Sequence, residues 1–286
     1  AAAWMLKAKL LLNSKVYTKT DRSADALTAV NKVISSGLYQ LSSEFFEIFD
    51  DENHTNKELI FAVDQRPDLS GHNRMAYFSL SGDMFPLPNF PNANGTDGPG
   101  ITSDFYRSWV QAYGTTDPAR DARFFKENLV IPVDSFIAGD KFEINRGILR
   151  GQQYGLITSR YGQPFERGPN GTYKIGKLRN ITRADKNKLV IHTEMIDFTT
   201  AGSGYSTGYR VEKYEFSKLS DSGRNKGQAD IIILRYADIY MMRAEAKLRK
   251  GDATGALSDV NLVRASRTAR ASQTPPALAQ MTLDIL

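Results

Sequence analysis

Residues 231–264 read IIILRYADIYMMRAEAKLRKGDATGALSDVNLVR, and this stretch predicts two helices joined by a tight turn. In its first half, apolar residues recur at spacings of three and four, which places them on one face of a helix. These residues are Leu234, Ala237, Met241, Ala244 and Leu248. Gly251 can adopt the left-handed conformation that commonly ends a helix, and Asp252 can cap the next one. The stretch therefore predicts a helical hairpin.

A similar hairpin is predicted at the start of the chain, over residues 1–37. Its first helix is apolar over much of its girth, so we expect it to be largely buried. Asp21 or Ser23 can cap the second helix, and Gly37 can end it. The pattern therefore predicts two helical pairs, one near each end of the chain.

The two predicted hairpins share a sequence pattern. Ala-Leu-x-x-Val-Asn-x-Val occurs at residues 26–33 and again at 256–263, and Ala-Lys-Leu occurs at 8–10 and 246–248. Two similar helix pairs in one chain favour tetratricopeptide-like stacking, in which each pair buries its face against its neighbours. The alternative is a pair of unrelated amphipathic hairpins that share common helix-forming residues.

Composition excludes several classes of protein. The chain has 286 residues, of which 41% are hydrophobic and 24% charged, which is typical of a folded protein. Its 37 basic and 32 acidic residues are interspersed, so no nucleic-acid partner is indicated. Cysteine is absent, which excludes disulfides, thiol catalysis and zinc-thiolate sites. No apolar run approaches the ~20 residues that span a bilayer.

Between the hairpins the composition changes. Residues 64–104 are rich in proline and glycine, which predicts a long irregular segment. Loops of such length are usually functional or disordered, and the interleaved phenylalanines argue against disorder. A short helix is predicted at 104–113. Strand-like runs separated by turn residues follow at 129–133, 188–193 and 209–216.

The order and spacing of several segments resemble the SusD/RagB family. Besides residues 231–264, the segments that carry the resemblance are ISSGLY at 34–39, ELIF at 58–61, TSDFY at 102–106, DPARDAR at 117–123 and GYRVEKY at 208–214. The family's N-terminal lipoprotein cysteine, its first helices, its tryptophan-rich loop and the segment that normally follows residue 286 are not evident. Since both ends of the chain read as interrupted helical patterns, we expect an internal fragment of a longer protein.

Members of this family are lipid-anchored, glycan-binding proteins on the outer surface of Bacteroidetes cells. The resemblance implies a surface-exposed outer-membrane lipoprotein that captures an oligosaccharide or polysaccharide nutrient and delivers it to a SusC-like TonB-dependent transporter. Its lipid anchor would lie in an N-terminal part that this fragment lacks. The resemblance implies a binding protein and not an enzyme, with no metal and no cofactor.

Aromatic residues with amides nearby are the candidates for a glycan site. A sugar ring has an apolar C–H face and a rim of hydroxyls, so its recognition needs a flat aromatic platform and polar side chains at the edge. The predicted ligand-binding residues are Phe85, Phe90, Asn92, Asn94, Trp109 and Tyr113. The opposing interpretation is that the aromatics of the short helix pack it onto the scaffold. We favour that interpretation for Phe105, whereas Trp109 fits both.

Two other functions stay open at this point. An α-helical glycoside hydrolase or lyase would need an acid and a base, and the carboxylates available are Asp97, Asp104, Asp117 and Asp121. Salt bridges or caps explain these residues more simply. The Gly-x-Ser-x-Gly match at 204–208 lacks the strand-to-helix context of a nucleophile. The second alternative, a tetratricopeptide protein-interaction scaffold, has no need of an aromatic-rich insert.

Metal sites are not indicated either. His54, His72 and His192 are scattered without ligand spacing. The acidic residues 50–52 could touch calcium, but a solvated turn is the preferred interpretation.

The sequence thus predicts a mainly α protein, a tetratricopeptide-like α/α superhelix with a loop-rich insert that contains short strands. We expect one domain over residues 1–286. It divides into a helical hairpin at 1–63, the loop-rich insert at 64–226, and a second hairpin with the start of a C-terminal region at 227–286.

Overall fold

The computed structural model describes residues 1–69, 72–98, 100–112, 121–132, 135–196 and 207–286. The helices in these ranges are α1 (Ala2–Leu12), α2 (Ser14–Thr18), α3 (Ser23–Ile34), α4 (Met75–Ser79), α5 (Ser103–Ala112), α6 (Tyr236–Arg249) and α7 (Ala253–Ala265). More of the described residues lie in helices than in strands, so the prediction of a mainly α protein is confirmed. None of these helices combines the length and apolar character that crossing a membrane requires.

The strands are short. They are β1 (Leu59–Val63), β2 (Phe125–Lys126), β3 (Phe136–Ile137), β4 (Arg146–Leu149), β5 (Gly151–Gln152), β6 (Tyr154–Leu156), β7 (Tyr173–Lys177), β8 (Ile191–His192), β9 (Arg210–Glu212) and β10 (Ile231–Arg235). They form four small sheets with the orders β1-β10, β2-β4-β9, β3-β7-β6 and β5-β8, and every pairing is antiparallel.

Helices α6 and α7 form the predicted C-terminal hairpin. Gly251 lies between them with φ +84°, and the Asp252 carboxylate accepts a hydrogen bond from the Gly255 amide at 2.7 Å. Both features are the predicted helix end and cap. Arg243 and Lys247 of α6 form ion pairs with the buried Asp259 of α7, at 2.6 and 2.8 Å. The hairpin is therefore held by its turn and by a shared carboxylate.

The prediction that the hairpin is helical from residue 231 is wrong for its first five residues. Ile231–Arg235 forms β10, which pairs with β1 so that Val63 lies opposite Ile231 and Leu59 opposite Arg235. β-Branched isoleucines favour an extended backbone when a partner strand is present. The helix begins only at Tyr236, whose amide donates to the Glu58 carbonyl at 2.8 Å.

The N-terminal hairpin packs on the C-terminal one. α1 contacts α3, and α3 contacts α6, around a core that includes Met5, Val30 and Ile239. The Asp21 carboxylate accepts the Ser23 amide at 2.8 Å, but the residue at the cap position of α3 is Arg22, which forms no side-chain cap. The segments with the shared pattern lie in α3 and α7. The tetratricopeptide-like character of this arrangement stays a prediction.

Helix α1 is less buried than predicted. Met5, Ala8 and Leu12 are buried, but Trp4, Leu6 and Leu10 are 40%, 53% and 58% exposed. The reason is that α1 packs on one side against α3 and α6. Its remaining apolar side faces outward within the described part of the chain.

The segment between the hairpins holds the other sheets, and with Phe45, Phe46, Ile48 and Phe49 it forms a second core of aromatic and aliphatic side chains. Two predicted strand runs are confirmed in part, since β8 lies in 188–193 and β9 in 209–216. The run at 129–133 is wrong over its described residues, 129–132. There the Asn145 side-chain oxygen accepts the amides of Asn128 and Leu129, both at 2.8 Å, in place of a strand partner.

Candidate functional site

A cleft of about 530 Å³ opens on the segment between the two hairpins. Everything that lines it comes from residues 77–224. The lining side chains that can reach a ligand are Tyr77, Asn94, Arg160, Tyr161, Arg183, Lys186 and Arg224. Its volume falls within the range of about 300–1,000 Å³ that is usual for small-molecule sites.

One wall of the cleft is a tightly folded loop. The Gly82 amide donates to the Asp97 carboxylate at 2.8 Å, and the Asn94 side-chain amide donates to the Gly82 carbonyl at 2.6 Å. A Cβ on Gly95 would lie 2.4 Å from the backbone oxygen of Leu80. Only glycine fits at that position, so the close approach of the two backbones holds Asn94 at the cleft.

The opposite wall is fixed by two carboxylates. The amide and hydroxyl of Thr182 donate to Asp83 at 2.8 and 2.9 Å, while Arg183 forms an ion pair with Asp97. Asp83 is 1% exposed, and burial raises the pKa of its carboxyl. The Asp97 side chain is also almost fully buried. These contacts join residues 82–97 to residues 182–183 and so set the width of the cleft.

Two tyrosines present different surfaces to the cleft. Tyr161 is 48% exposed, and its hydroxyl donates to the Asn92 carbonyl at 3.1 Å. Tyr77 is buried, and its hydroxyl accepts a hydrogen bond from Arg224 Nε at 3.0 Å. Tyr161 therefore offers an aromatic face, whereas Tyr77 holds Arg224 in place.

The sequence-predicted residues around the cleft have different exposures. Phe85 is fully buried, with its ring edge-on to Phe165, so it cannot serve as an exposed platform as predicted. Phe90 is partly buried against the same core. Asn92 is exposed, and Asn94 lines the cleft. Phe85 and Asn92 therefore contact Tyr161 of the cleft, and Asn94 lines it.

The remaining predicted residues lie elsewhere. Trp109 of α5 packs edge-on against Phe124 in a separate cluster, with ring centroids 5.5 Å apart. Tyr113 lies outside the described residues. Phe105, which we expected to pack, is 52% exposed and touches the Trp109 ring with its edge. The structure thus does not bring Trp109 to the cleft.

Sequence reasoning missed most of the residues that line the cleft. Tyr77, Tyr161 and the cationic side chains come from four separate segments, near residues 77, 160, 183 and 224. No motif or spacing links those segments. The available signal was the prediction of a loop-rich insert, because all of them lie within it.

The carboxylates proposed for catalysis have structural contacts. Asp97 holds Arg183 and the Gly82 amide, as described above. Asp121 is 2% exposed and accepts hydrogen bonds from Arg123 Nε at 3.0 Å and Nη2 at 2.8 Å. Asp104 is exposed in the first turn of α5. Asp117 and most of the Gly-x-Ser-x-Gly match lie outside the described residues.

The acidic turn at 50–52 is solvated only in part: Glu52 is exposed, whereas the other two carboxylates bind protein groups. Asp51 is 6% exposed and accepts a hydrogen bond from the Ser217 hydroxyl at 2.9 Å. Asp50 forms an ion pair with the buried Arg146 at 2.5 Å. These carboxylates anchor the turn to distant segments. Across the described ranges, no group of three or more histidine and carboxylate side chains is arranged to hold a metal ion.

Comparison with known proteins gives a consistent family. A sequence model of the SusD family matches residues 57–282. The starch-binding protein SusD of Bacteroides thetaiotaomicron is 26% identical over 92% of this chain and 44% of its own length.

Solved structures share the fold. A SusD-like protein from Bacteroides fragilis, 22% identical, matches with a TM-score of 0.50 over 97% of this chain and 47% of its own. A SusD superfamily protein from Parabacteroides distasonis, 14% identical, matches with a TM-score of 0.53 over 98% and 45%. The chain thus spans less than half the length of these relatives.

Proposed function

Because this chain belongs to the SusD family, we propose that it binds an oligosaccharide or polysaccharide, and that it does so at the cleft between Asn94 and Tyr161. The observation that carries the proposal is the half-exposed Tyr161 ring beside amide and guanidinium donors in a cleft of about 530 Å³.

The chemistry of the cleft suits a sugar. An exposed tyrosine ring can stack on the apolar C–H face of a pyranose, as aromatic platforms do. Asn94 and the arginines supply donors for ring hydroxyls, and the Asn94 oxygen can accept. Asn92 helps to position the Tyr161 ring, since its carbonyl accepts a hydrogen bond from the Tyr161 hydroxyl. The relative from B. thetaiotaomicron is named as a starch-binding protein, which supports a glycan as ligand.

The family also supports a role in uptake. We propose that the whole protein is a surface-exposed outer-membrane lipoprotein that passes its glycan to a SusC-like TonB-dependent transporter. The cleft binds without changing its ligand, because Asp97 and Asp83, the carboxylates that join its two walls, are buried and hydrogen-bonded to the opposite wall. The two helical hairpins serve as a tetratricopeptide-like scaffold that supports the loops.

Affinity electrophoresis of the 286-residue chain tests this function. The gels contain starch, galactomannan, arabinoxylan, polygalacturonate or κ-carrageenan, and Tyr161→Ala runs beside the wild type. The expected result is retardation by at least one polysaccharide, weakened by the substitution. Tyr17→Ala is the matched control, because Tyr17 is 71% exposed on α2, away from the cleft. Retardation by none of the polysaccharides contradicts the proposal.

A further inference from the structure

The charges that line the cleft are all of one sign. Arg160, Arg183, Lys186 and Arg224 belong to its lining, and no carboxylate of the described residues does. Basic residues exceed acidic ones only by 37 to 32 in the whole chain, so composition does not account for this local excess. Cations gathered around one small opening repel each other, which costs free energy unless an anion lies among them.

Protein groups neutralise only part of this charge. Arg183 is paired with Asp97. Arg224 donates to the neutral Tyr77 hydroxyl, and its guanidinium lies 5.6 Å from the centroid of that ring. Arg160 and Lys186 are exposed, and neither forms an ion pair with a carboxylate of the described residues. At least three positive charges at the cleft therefore have no negative partner in the part of the chain that the structure describes.

A neutral sugar makes poor use of such a cleft. It would displace water from the cations and return only hydrogen bonds between neutral oxygens and charged donors. A carboxylate or sulfate group adds direct attraction between opposite charges, and it can accept two parallel hydrogen bonds from one arginine. The planar guanidinium groups of Arg160 and Arg224 also match the paired oxygens of these anions.

We propose that the cleft is selective for an acidic glycan, in which a sugar ring stacks on Tyr161 while its carboxylate or sulfate group lies among Arg160, Lys186 and Arg224. This inference rests on the proposed function and specifies the class of glycan. The cleft would recognise a carboxylate and a sulfate by the same chemistry. The experiment therefore tests the two groups in separate arms, which distinguish between them.

Isothermal titration calorimetry of the whole chain compares each anion with a neutral partner of similar backbone. The carboxylate arm uses oligogalacturonate and its methyl ester. The sulfate arm uses κ-carrageenan oligosaccharide and agaro-oligosaccharide. We expect tighter binding of the acidic member in at least one arm, and an affinity that falls as sodium chloride is raised, since salt screens exposed charges.

The variant that tests the cleft is Arg160→Gln/Lys186→Gln, in which both replaced side chains are exposed. Its affinity for the acidic glycan should fall about tenfold, which corresponds to about 1.4 kcal/mol. The control is Lys32→Gln/Lys250→Gln, which removes the same two charges from exposed positions on α3 and after α6. The control should bind within about twofold of the wild type, because long-range attraction is screened in salt.

Each contrary outcome has a distinct meaning. Equal binding of the neutral and acidic members, unchanged in Arg160→Gln/Lys186→Gln, overturns the acidic-glycan inference and leaves the proposed function standing. Binding of neutral polysaccharides alone does the same. Equal weakening in the control variant shows general attraction to a basic chain and also overturns the inference. Failure of every acidic and neutral glycan to bind overturns the proposed function as well.

Discussion

Arg267 and Glu58 form a buried two-pronged ion pair that joins positions 209 residues apart in the sequence. Arg267 Nη1 lies 2.8 Å from Glu58 Oε2, and Nη2 lies 2.9 Å from Oε1. Arg267 is 4% exposed and Glu58 is fully buried. Glu58 immediately precedes β1 and Arg267 closely follows α7, so the pair fastens the end of the N-terminal segment to the C-terminal hairpin.

Removing Arg267 should therefore destabilise the whole protein. Among the described residues, Arg267→Ala leaves the buried Glu58 carboxylate with Arg235, 3.4 Å away, as its remaining cationic partner. Breaking one side of a buried pair typically costs about 3–5 kcal/mol. Urea unfolding followed by circular dichroism measures the change.

Asp25→Ala is the matched control for that measurement. It breaks the Arg22–Asp25 pair, whose side chains are 52% and 53% exposed, and should change the free energy of unfolding by less than about 1 kcal/mol. If Arg267→Ala and Asp25→Ala lowered the free energy of unfolding equally, the buried ion pair would not stabilise the contact between these distant segments.

Glu212 should make stability depend on pH. It is fully buried in β9, and neither of its carboxylate oxygens has a hydrogen-bond partner within the described residues. Burial raises the pKa of Glu212 well above the ordinary value of 4.5, and nearby Arg146 offsets this only in part. The folded state therefore holds a proton that the unfolded chain releases, so stability falls as pH rises above about 4.5.

Glu212→Gln tests this dependence by urea unfolding between pH 4 and pH 8. The amide carries no charge, so the variant should be more stable than the wild type at neutral pH, with the advantage shrinking as pH falls towards 4.5. Glu143→Gln, which replaces an exposed carboxylate, should leave the profile unchanged. A wild-type stability that rises with pH over this window, and does so less in Glu212→Gln, would count against a buried protonated carboxyl.

Trp109 should matter for stability and not for glycan binding. Its ring packs against Phe124, and its indole N–H is buried without a hydrogen-bond partner among the described residues. Trp109→Ala should lower the free energy of unfolding by about 3 kcal/mol. Trp109→Phe should lower it much less, because the aromatic contact is kept and the unpaired donor is lost.

Calorimetry with the glycan that the wild type binds completes this test. Folded Trp109→Phe should bind within about twofold of the wild type. A large loss of affinity in Trp109→Phe would place the sugar at α5, as the sequence analysis allowed, and away from the cleft.

Gly95→Ala should damage both stability and the cleft. The new Cβ would lie 2.4 Å from the Leu80 carbonyl oxygen and 2.5 Å from its carbon, and these backbone atoms can move only with their loop. Overpacking of this kind costs about 1–3 kcal/mol, and a shifted loop displaces Asn94. Thermal unfolding and calorimetry with the bound glycan measure the two effects.

Gly176→Ala provides the comparison for the loop. Its Cβ would meet only the Ile157 side chain, at 3.0 Å, and that side chain can rotate away. Its effect on both measurements should be smaller. Similar losses of affinity in the two variants would mean that the loop at Gly95 does not shape the site.

Local features of this protein were predictable because they act within a few residues. Gly251 ends α6 and Asp252 caps α7 through contacts inside one turn. The predicted apolar stripe of α6 is correct only in part, since Ala237 and Ala244 are buried but Met241 and Leu248 are partly exposed. The candidate site was predictable only as a region. Asn94 was identified, but Phe85 turned inward, since an aromatic ring beside a core is buried unless something else fills that space.

By itself, the sequence determined where the helical hairpins form and which segment is irregular, because helix periodicity, caps and turn residues are properties of neighbouring positions. Tertiary structure alone decided that residues 231–235 are a strand, because that backbone pairs with residues 59–63. Tertiary structure also decided which residues line the cleft, among them Asn94, Tyr161, Lys186 and Arg224. Contacts between distant segments, such as Thr182 with Asp83 and Arg183 with Asp97, bring these residues together. Contacts between residues so far apart in the sequence produce no repeating sequence pattern from which they could be predicted.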